Sequence, residues 1–231
     1  MGYGVTDIPY WHVNVPLSQR TAECPDFLLN LSEKDLNIIR TPDSAYHFDT
    51  WDDVCAKVAE NTLELFQRKP SDLRRYLAWS ADIGKEYGSM MNFILTTRLA
   101  QWEWTENDGI IRPKGRPFEC EDDDIKILQN DWPYGIDERI VHLVVWTKFE
   151  LADDPATGDL TDQARAEIDA YVQRKFAHKM DKDHVIWFKN WQSIKSVKAV
   201  EHFHVMLFDP DPKFVEEITN GDVPLFERMA K

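Results

Sequence analysis

Glu201-His202-Phe203-His204-Val205-Met206-Leu207-Phe208, closed by Asp209-Pro210, is the stretch that decides the fold. Its back half, residues 205–208, reads as a strand buried on both faces, stopped by a proline with no N–H for a ladder. Its front half alternates, so side chains two apart share a face. His202 and His204 therefore point one way, Glu201 and Phe203 the other. Two imidazoles at the mouth of a buried strand are the densest concentration of chemistry in the chain. Working outward, Val185-Ile186-Trp187-Phe188-Lys189-Asn190 and Ile140-Val141-His142-Leu143-Val144-Val145-Trp146-Thr147-Lys148 read as sheet partners of that strand.

The 231 residues, 43% hydrophobic, suffice for a sizeable core. No apolar run approaches the roughly 18 residues that a membrane span needs, so no membrane partner is expected. Cys24, Cys55 and Cys120 are odd in number and widely spaced, which suits a reducing cytoplasm better than a disulfide framework or a zinc ribbon. A formal net charge of -14 argues against a general nucleic-acid binder, while leaving room for a local basic patch. Nine tryptophans are many for this length, and several stand beside Pro, Asn or Lys, where indoles line pockets as well as fill cores.

Residues 6–49, rich in Pro, Asn, Asp and Ser, predict an arm that wraps the main body. Thr50-Trp51-Asp52-Asp53 has the form of a helix start, a hydroxyl cap with an acid three residues on. Helical spacing then runs through Val54, Val58 and Leu65 to Pro70, which is expected to end that helix. A second long helix restarts at Ser71-Asp72-Leu73, with Gly84 and Gly88 placed to bend or break it. After the loop containing Pro113 and Pro117 come the His142 strand, a helix opened by Thr161, and the Val185 strand. A short helix over 193–199, the histidine strand and a last helix over 212–219 complete the order. Helices first and then β-α-β-α-β predict one α+β domain over 1–231: an extended arm over 1–49, helices over 50–102, and sheet with helices over 118–231.

Three constellations carry candidate chemistry. His202-Phe203-His204 suits proton transfer, because imidazole titrates near neutrality. It also reads as a metal pair lacking a clear third ligand, as a histidine-triad fragment in which Met206 replaces the third histidine, or as hydrogen-bonded structural histidines. Lys189 and Asn190 stand where the Val185 strand hands over to a helix and are candidates for stabilising an oxyanion, with Trp187 beside them. Lys195 and Lys198, with Arg74 and Arg75, form a candidate phosphate-tracking patch; ordinary solvated lysines are the plainer alternative. Asn130-Asp131-Trp132-Pro133-Tyr134-Gly135 sets Asp131 between ring-bearing residues, an arrangement suited to a guanidinium or other cation, or simply to an Asx-turn. Glu201 is the alternative partner for that guanidinium. There is no phosphate loop, dinucleotide fingerprint or Gly-x-Ser-x-Gly elbow, so no cofactor is expected.

Taken jointly, several segments resemble the fungal N-acetylglucosamine-induced protein 1 family, a family of unknown function. They include Pro9-Tyr10-Trp11, Glu23-Cys24-Pro25, Leu73-Arg74-Arg75-Tyr76, Tyr87-Gly88-Ser89-Met90-Met91-Asn92-Phe93, Asn130-Asp131-Trp132-Pro133-Tyr134-Gly135, Trp187-Phe188-Lys189-Asn190 and Glu201-His202-Phe203-His204-Val205. The resemblance covers nearly the whole chain and implies a fungal cytoplasmic protein. The chain is also similar in size and kind to the fungal arginine-containing cyclodipeptide synthases, which take aminoacyl groups from tRNA and join them. That likeness implies aminoacyl-tRNA as partner and a cyclic arginine dipeptide as product. A small-molecule or sugar-response binder and a metal-dependent hydrolase are the alternatives. From the residue chemistry, the site expected is His202, His204, Lys189 and Asn190 in catalysis, ringed by Asp131, Trp132, Tyr134, His142, Trp187 and Glu201. His142, Lys189, Asn190, His202 and His204 are expected to converge at one end of the sheet, with Asp131, Trp132, Tyr134 and Trp187 around them.

Overall fold

The protein was analysed as a computed structural model, which describes residues 8–102, 111–191 and 200–229. Among these, helices α1 (Glu33–Ile39), α2 (Trp51–Ala59), α3 (Pro70–Tyr87) and α4 (Met90–Phe93) precede α5 (Glu121–Asp124) and strands β1 (Ile125–Gln129) and β2 (Ile140–Thr147). Helix α6 (Asp162–Val172), β3 (Val185–Phe188), β4 (Glu201–Phe208), α7 (Pro212–Thr219) and α8 (Leu225–Arg228) follow. The four strands form one antiparallel sheet in the order β1-β2-β4-β3. The fold is α+β, with the histidine strand inside the sheet between its two expected partners.

β1 is an element the sequence reading left unassigned. Ile125-Lys126-Ile127-Leu128-Gln129 follows directly on an acidic run, and five residues give too short a period to separate strand from loop. Pairing with β2 settles it, Ile127 opposite Val145. Pro70 also differs from expectation: it opens α3 instead of ending α2. At the first helical position a missing N–H costs nothing, and the fixed φ suits helix entry. α2 stops at Ala59, and Leu65 belongs to a separate short turn. Thr50 and Asp53 form the expected reciprocal cap of α2, and Gly88 ends α3 at φ 73°.

Strand alternation divides the core. Leu143, Val145, Phe203, Val205 and Leu207 face α6 and α7, packing with Ile168, Tyr171, Phe176 and Phe214. On the other face, Leu128, Val144 and Trp146 meet Ile83, Phe93, Leu95 and Leu99, while Met206 and Phe188 meet Val54 and Phe66. Each fully buried aliphatic or aromatic side chain here contributes on the order of 1.5–3 kcal/mol. The arm packs on α3 through Leu28, Ile38, Ile39 and Leu73, with Tyr10 and Trp11 alongside. No helix among the described residues is long and apolar enough to cross a membrane. The helix expected over 193–199 lies outside the described residues.

Candidate functional site

The face of the sheet carrying His202 and His204 leaves a cavity of about 100 Å³ between the strands, α3 and the 129–134 turn. Its wall includes Asn190, His202, His204, Asp131, Trp132 and Tyr134, six of the residues expected at the site. His142 stands behind them. Its Nε2 lies 3.0 Å from His204 Nδ1, and its ring tilts against Tyr134.

Hydrogen-bond roles fix the histidine tautomers. The Asn190 Nδ2 amide donates to His204 Nε2 at 3.1 Å, so the neutral His204 ring carries its proton on Nδ1. That N–H donates to His142 Nε2. His204 therefore has both nitrogens committed. Burial, helped by the nearby Arg68 charge, pushes His142 down to about 3, so at neutral pH it is an uncharged acceptor. His202 Nδ1 donates to the Val200 carbonyl at 2.9 Å, which puts the lone pair of the neutral ring on Nε2; the ring is tilted on Trp146 and stands edge-on to His204. Burial raises the Tyr134 phenol, which also bonds to Asn190.

Three polar atoms in this wall, Trp132 Nε1, Asn190 Oδ1 and Arg98 Nε, are buried without a hydrogen-bond partner among the described residues, and of these Arg98 Nε has the Asp131 carboxylate in ion-pair contact. Buried polar groups are nearly always paired, so an orphan donor and an orphan acceptor beside one cavity mark where a ligand completes the set.

Asp131 does not wait for a substrate cation. Its Oδ2 contacts Arg98 Nε at 2.9 Å, and its Oδ1 accepts the Leu225 N–H. Arg98, 8% exposed, sends both terminal nitrogens to Asp222 at 2.8 and 2.7 Å. The guanidinium partner foreseen for Asp131 is thus the protein's own. Burial raises the Asp131 carboxyl against the pull of Arg98. Arg98 and Asp222 were not legible as site residues, because the pair joins positions 124 apart in the chain. Asn130 Oδ1 accepts the Trp132 N–H, the Asx-turn that was the alternative reading of this segment.

Lys189, Trp187 and Glu201 do not converge with the histidines. Strand alternation sends them to the opposite face, where Lys189 Nζ bonds Asp153 at 2.6 Å and the Leu151 carbonyl at 2.9 Å and lies 3.4 Å from Glu201. Trp187 donates to Asp169 on α6. Neither Lys189 for an oxyanion nor Glu201 for a guanidinium can reach the cavity. Arg74 donates to the Trp11 carbonyl and Arg75 to the Phe226 carbonyl, so both hold chain segments instead of forming an open phosphate track. Lys195 and Lys198, the remainder of that patch, lie outside the described residues. Among the described residues no three His, Cys, Asp or Glu side chains gather as metal ligands would.

A family model described as "Protein of unknown function (DUF3605)" matches residues 50–208, which span all four strands and the whole cavity wall. The chain belongs to the DUF3605 family. N-acetylglucosamine-induced protein 1 of Candida albicans is 28% identical over 188 residues, 74% of this chain and 73% of that protein. The Saccharomyces cerevisiae uncharacterized protein YPL067C is 33% identical over 93 residues, 39% of this chain and 47% of its own length. The crystal structure of HTC1 superposes with a TM-score of 0.60 at 21% identity, covering 76% of this chain and 98% of HTC1, a likeness of fold.

Proposed function

We propose that this DUF3605 protein is an aminoacyl transferase that joins aminoacyl groups from aminoacyl-tRNA into an arginine-containing cyclic dipeptide at the histidine-walled cavity. The observation that carries the reading is His202, whose Nδ1–H is fixed on the Val200 carbonyl so that a basic Nε2 stands in the wall of an aromatic cavity. Aminoacyl esters arrive activated. The protein has to align one substrate's amine with the other's ester carbonyl, take the ammonium proton, and return a proton to the departing ribose hydroxyl. The same step then repeats within the dipeptidyl ester: its free amine attacks its own ester carbonyl, which closes the ring and releases the second tRNA. His202 serves as that proton carrier, the Trp132 N–H as donor to the developing oxyanion, and Asn190 with His142 as the pair that positions His204.

No serine or cysteine is among the described lining residues, which supports direct attack of one substrate's amine on the other's ester without an acyl-enzyme. The one carboxylate among the described lining residues, Asp131, is engaged by Arg98, so on this reading the substrate guanidinium rests on the ring faces of Trp79 and Trp146. The test is expression in bacteria and mass spectrometry of the medium for cyclic arginine dipeptides, followed by assay of purified protein with charged tRNA. Folded, soluble protein that yields none in either assay overturns the proposal. A binder without turnover is the second reading, favoured by the full commitment of His204 to Asn190 and His142. Saturable ligand binding with no product would select it.

A further inference from the structure

Arg68 lies in the extended segment leading into α3, and that segment is tied down. The Gln67 carbonyl accepts both the Gly135 N–H and the Tyr46 hydroxyl, and Arg68 Nε donates to the Trp132 carbonyl at 3.0 Å. The guanidinium lies 4.1 Å from the Tyr76 ring centroid and 5.8 Å from that of Tyr134, and it lines the cavity. Ring faces cover a guanidinium's plane and leave its edge N–H groups as donors. Among the described residues the two terminal nitrogens of Arg68 have neither a hydrogen-bond acceptor nor an ion-pair partner. Arg98, the other guanidinium on the wall, differs in having two carboxylates, Asp131 and Asp222. Among the described lining residues Arg68 is therefore the cation with no carboxylate in ion-pair contact, held in place before any ligand arrives. Its field already reaches across the wall, since it helps to keep His142 neutral.

We infer that the cavity holds its ligand by an anionic group, a phosphate or a carboxylate, seated on the in-plane edge of Arg68. A planar fork of donors fits either oxyanion in bidentate fashion. A preorganised fork loses little side-chain freedom on binding, which raises affinity for a given contact. The inference rests on the cavity being the ligand site and not on acyl transfer. Under the proposed function the anion is a phosphodiester at the acceptor end of the tRNA.

The test titrates full-length protein with inorganic phosphate, acetate and adenosine 5′-monophosphate. Binding is followed by the fluorescence of the cavity tryptophans and by calorimetry, at two salt concentrations. Wild type is expected to bind at least one of the three, more weakly at higher salt. Phosphate or the nucleotide binding ahead of acetate identifies the group as phosphate, and the reverse order identifies a carboxylate. Arg68→Gln is expected to weaken that binding about tenfold or more, a loss appropriate to a charge-assisted pair. Arg68→Lys keeps the charge without the fork and is expected to fall between the two. It serves as the readout if the glutamine variant fails to fold. Equal affinity in all three proteins, or no binding of any probe by wild type, overturns the inference. Product formation without anion binding would sink the anion site alone; anion binding without product would sink the synthase reading alone.

Discussion

His142 Nε2 and His204 Nδ1 meet at 3.0 Å across the β2–β4 ladder, two residues off register, since His142 pairs with Met206 and His204 with Val144. Diagonal neighbours on one face of an antiparallel pair are within reach of ring-sized side chains. The contact makes His204 a positioned ring, and under the proposed function His202 is the proton carrier. Replacing His202 with Asn is expected to lower turnover about 10²–10⁴-fold, the usual contribution of a positioned acid–base group. His204→Ala also lowers activity, but with a loss of about 1–3 kcal/mol of stability, because Asn190 and His142 each lose a buried hydrogen bond. Steady-state kinetics and thermal melts of both variants check the division of roles.

Stability should fall with acid through His142. The unfolded ring takes a proton near its ordinary 6.5, whereas burial holds the folded one at about 3. The unfolded state therefore binds more protons in this window, and stability present above pH 6.5 is lost as pH drops toward 3. The slope from one such group is about 1.4 kcal/mol per pH unit. Urea midpoints measured between pH 7 and 4.5 should show the decline, and His142→Gln should flatten it. An unchanged slope would remove His142 as its cause.

Removing Arg98 should be far costlier than neutralising Asp131. Arg98→Met strands Asp131 and Asp222, both mostly buried, and is expected to cost about 3–5 kcal/mol by chemical denaturation. Asp131→Asn keeps the shape and leaves Arg98 on Asp222. If the protein makes cyclic arginine dipeptides, this variant should retain its preference for arginine, because that carboxylate is occupied. Loss of the preference in competition assays would return Asp131 to the substrate.

Gly135 should tolerate no side chain. A Cβ there would overlap the Tyr46 hydroxyl, whose O–H donates to the Gln67 and Gly135 carbonyls. Gly135→Ala is expected to destabilise by about 1–3 kcal/mol. It should also weaken ligand binding, by shifting the segment that holds Arg68. Melting and titration of the variant, with Tyr46→Ala as the relieving second change, distinguish a clash from a general loss of turn stability.

Lys189→Met should leave turnover within a few-fold of wild type while lowering stability, because the ammonium is tied to Asp153 and Leu151 on the far face of the sheet. An activity loss comparable to that of His202→Asn, in folded protein, would place Lys189 back in the chemistry.

The sequence by itself determined the histidine strand, its two partners, the capped start of α2 and the α6 and α7 helices. These rest on local chemistry: apolar runs, alternation, hydroxyl caps and a stopping proline act within a few residues. It also determined that His202 and His204 share a face, because the period of a strand is fixed at two. Only the tertiary structure decided which face is the cavity, and with it the fates of Asn190 and Lys189, adjacent in the chain and opposite in space. It also decided that Arg98 joins Asp131 and Asp222, and that Arg68 has no carboxylate in ion-pair contact among the described residues. Such pairings join residues far apart in the chain, and they depend on which of several acids the packing brings within a few ångströms. A charge read in sequence has no partner until the fold gives it one, and at a few ångströms in a buried wall that partner decides whether the charge is spent on structure or left for a ligand.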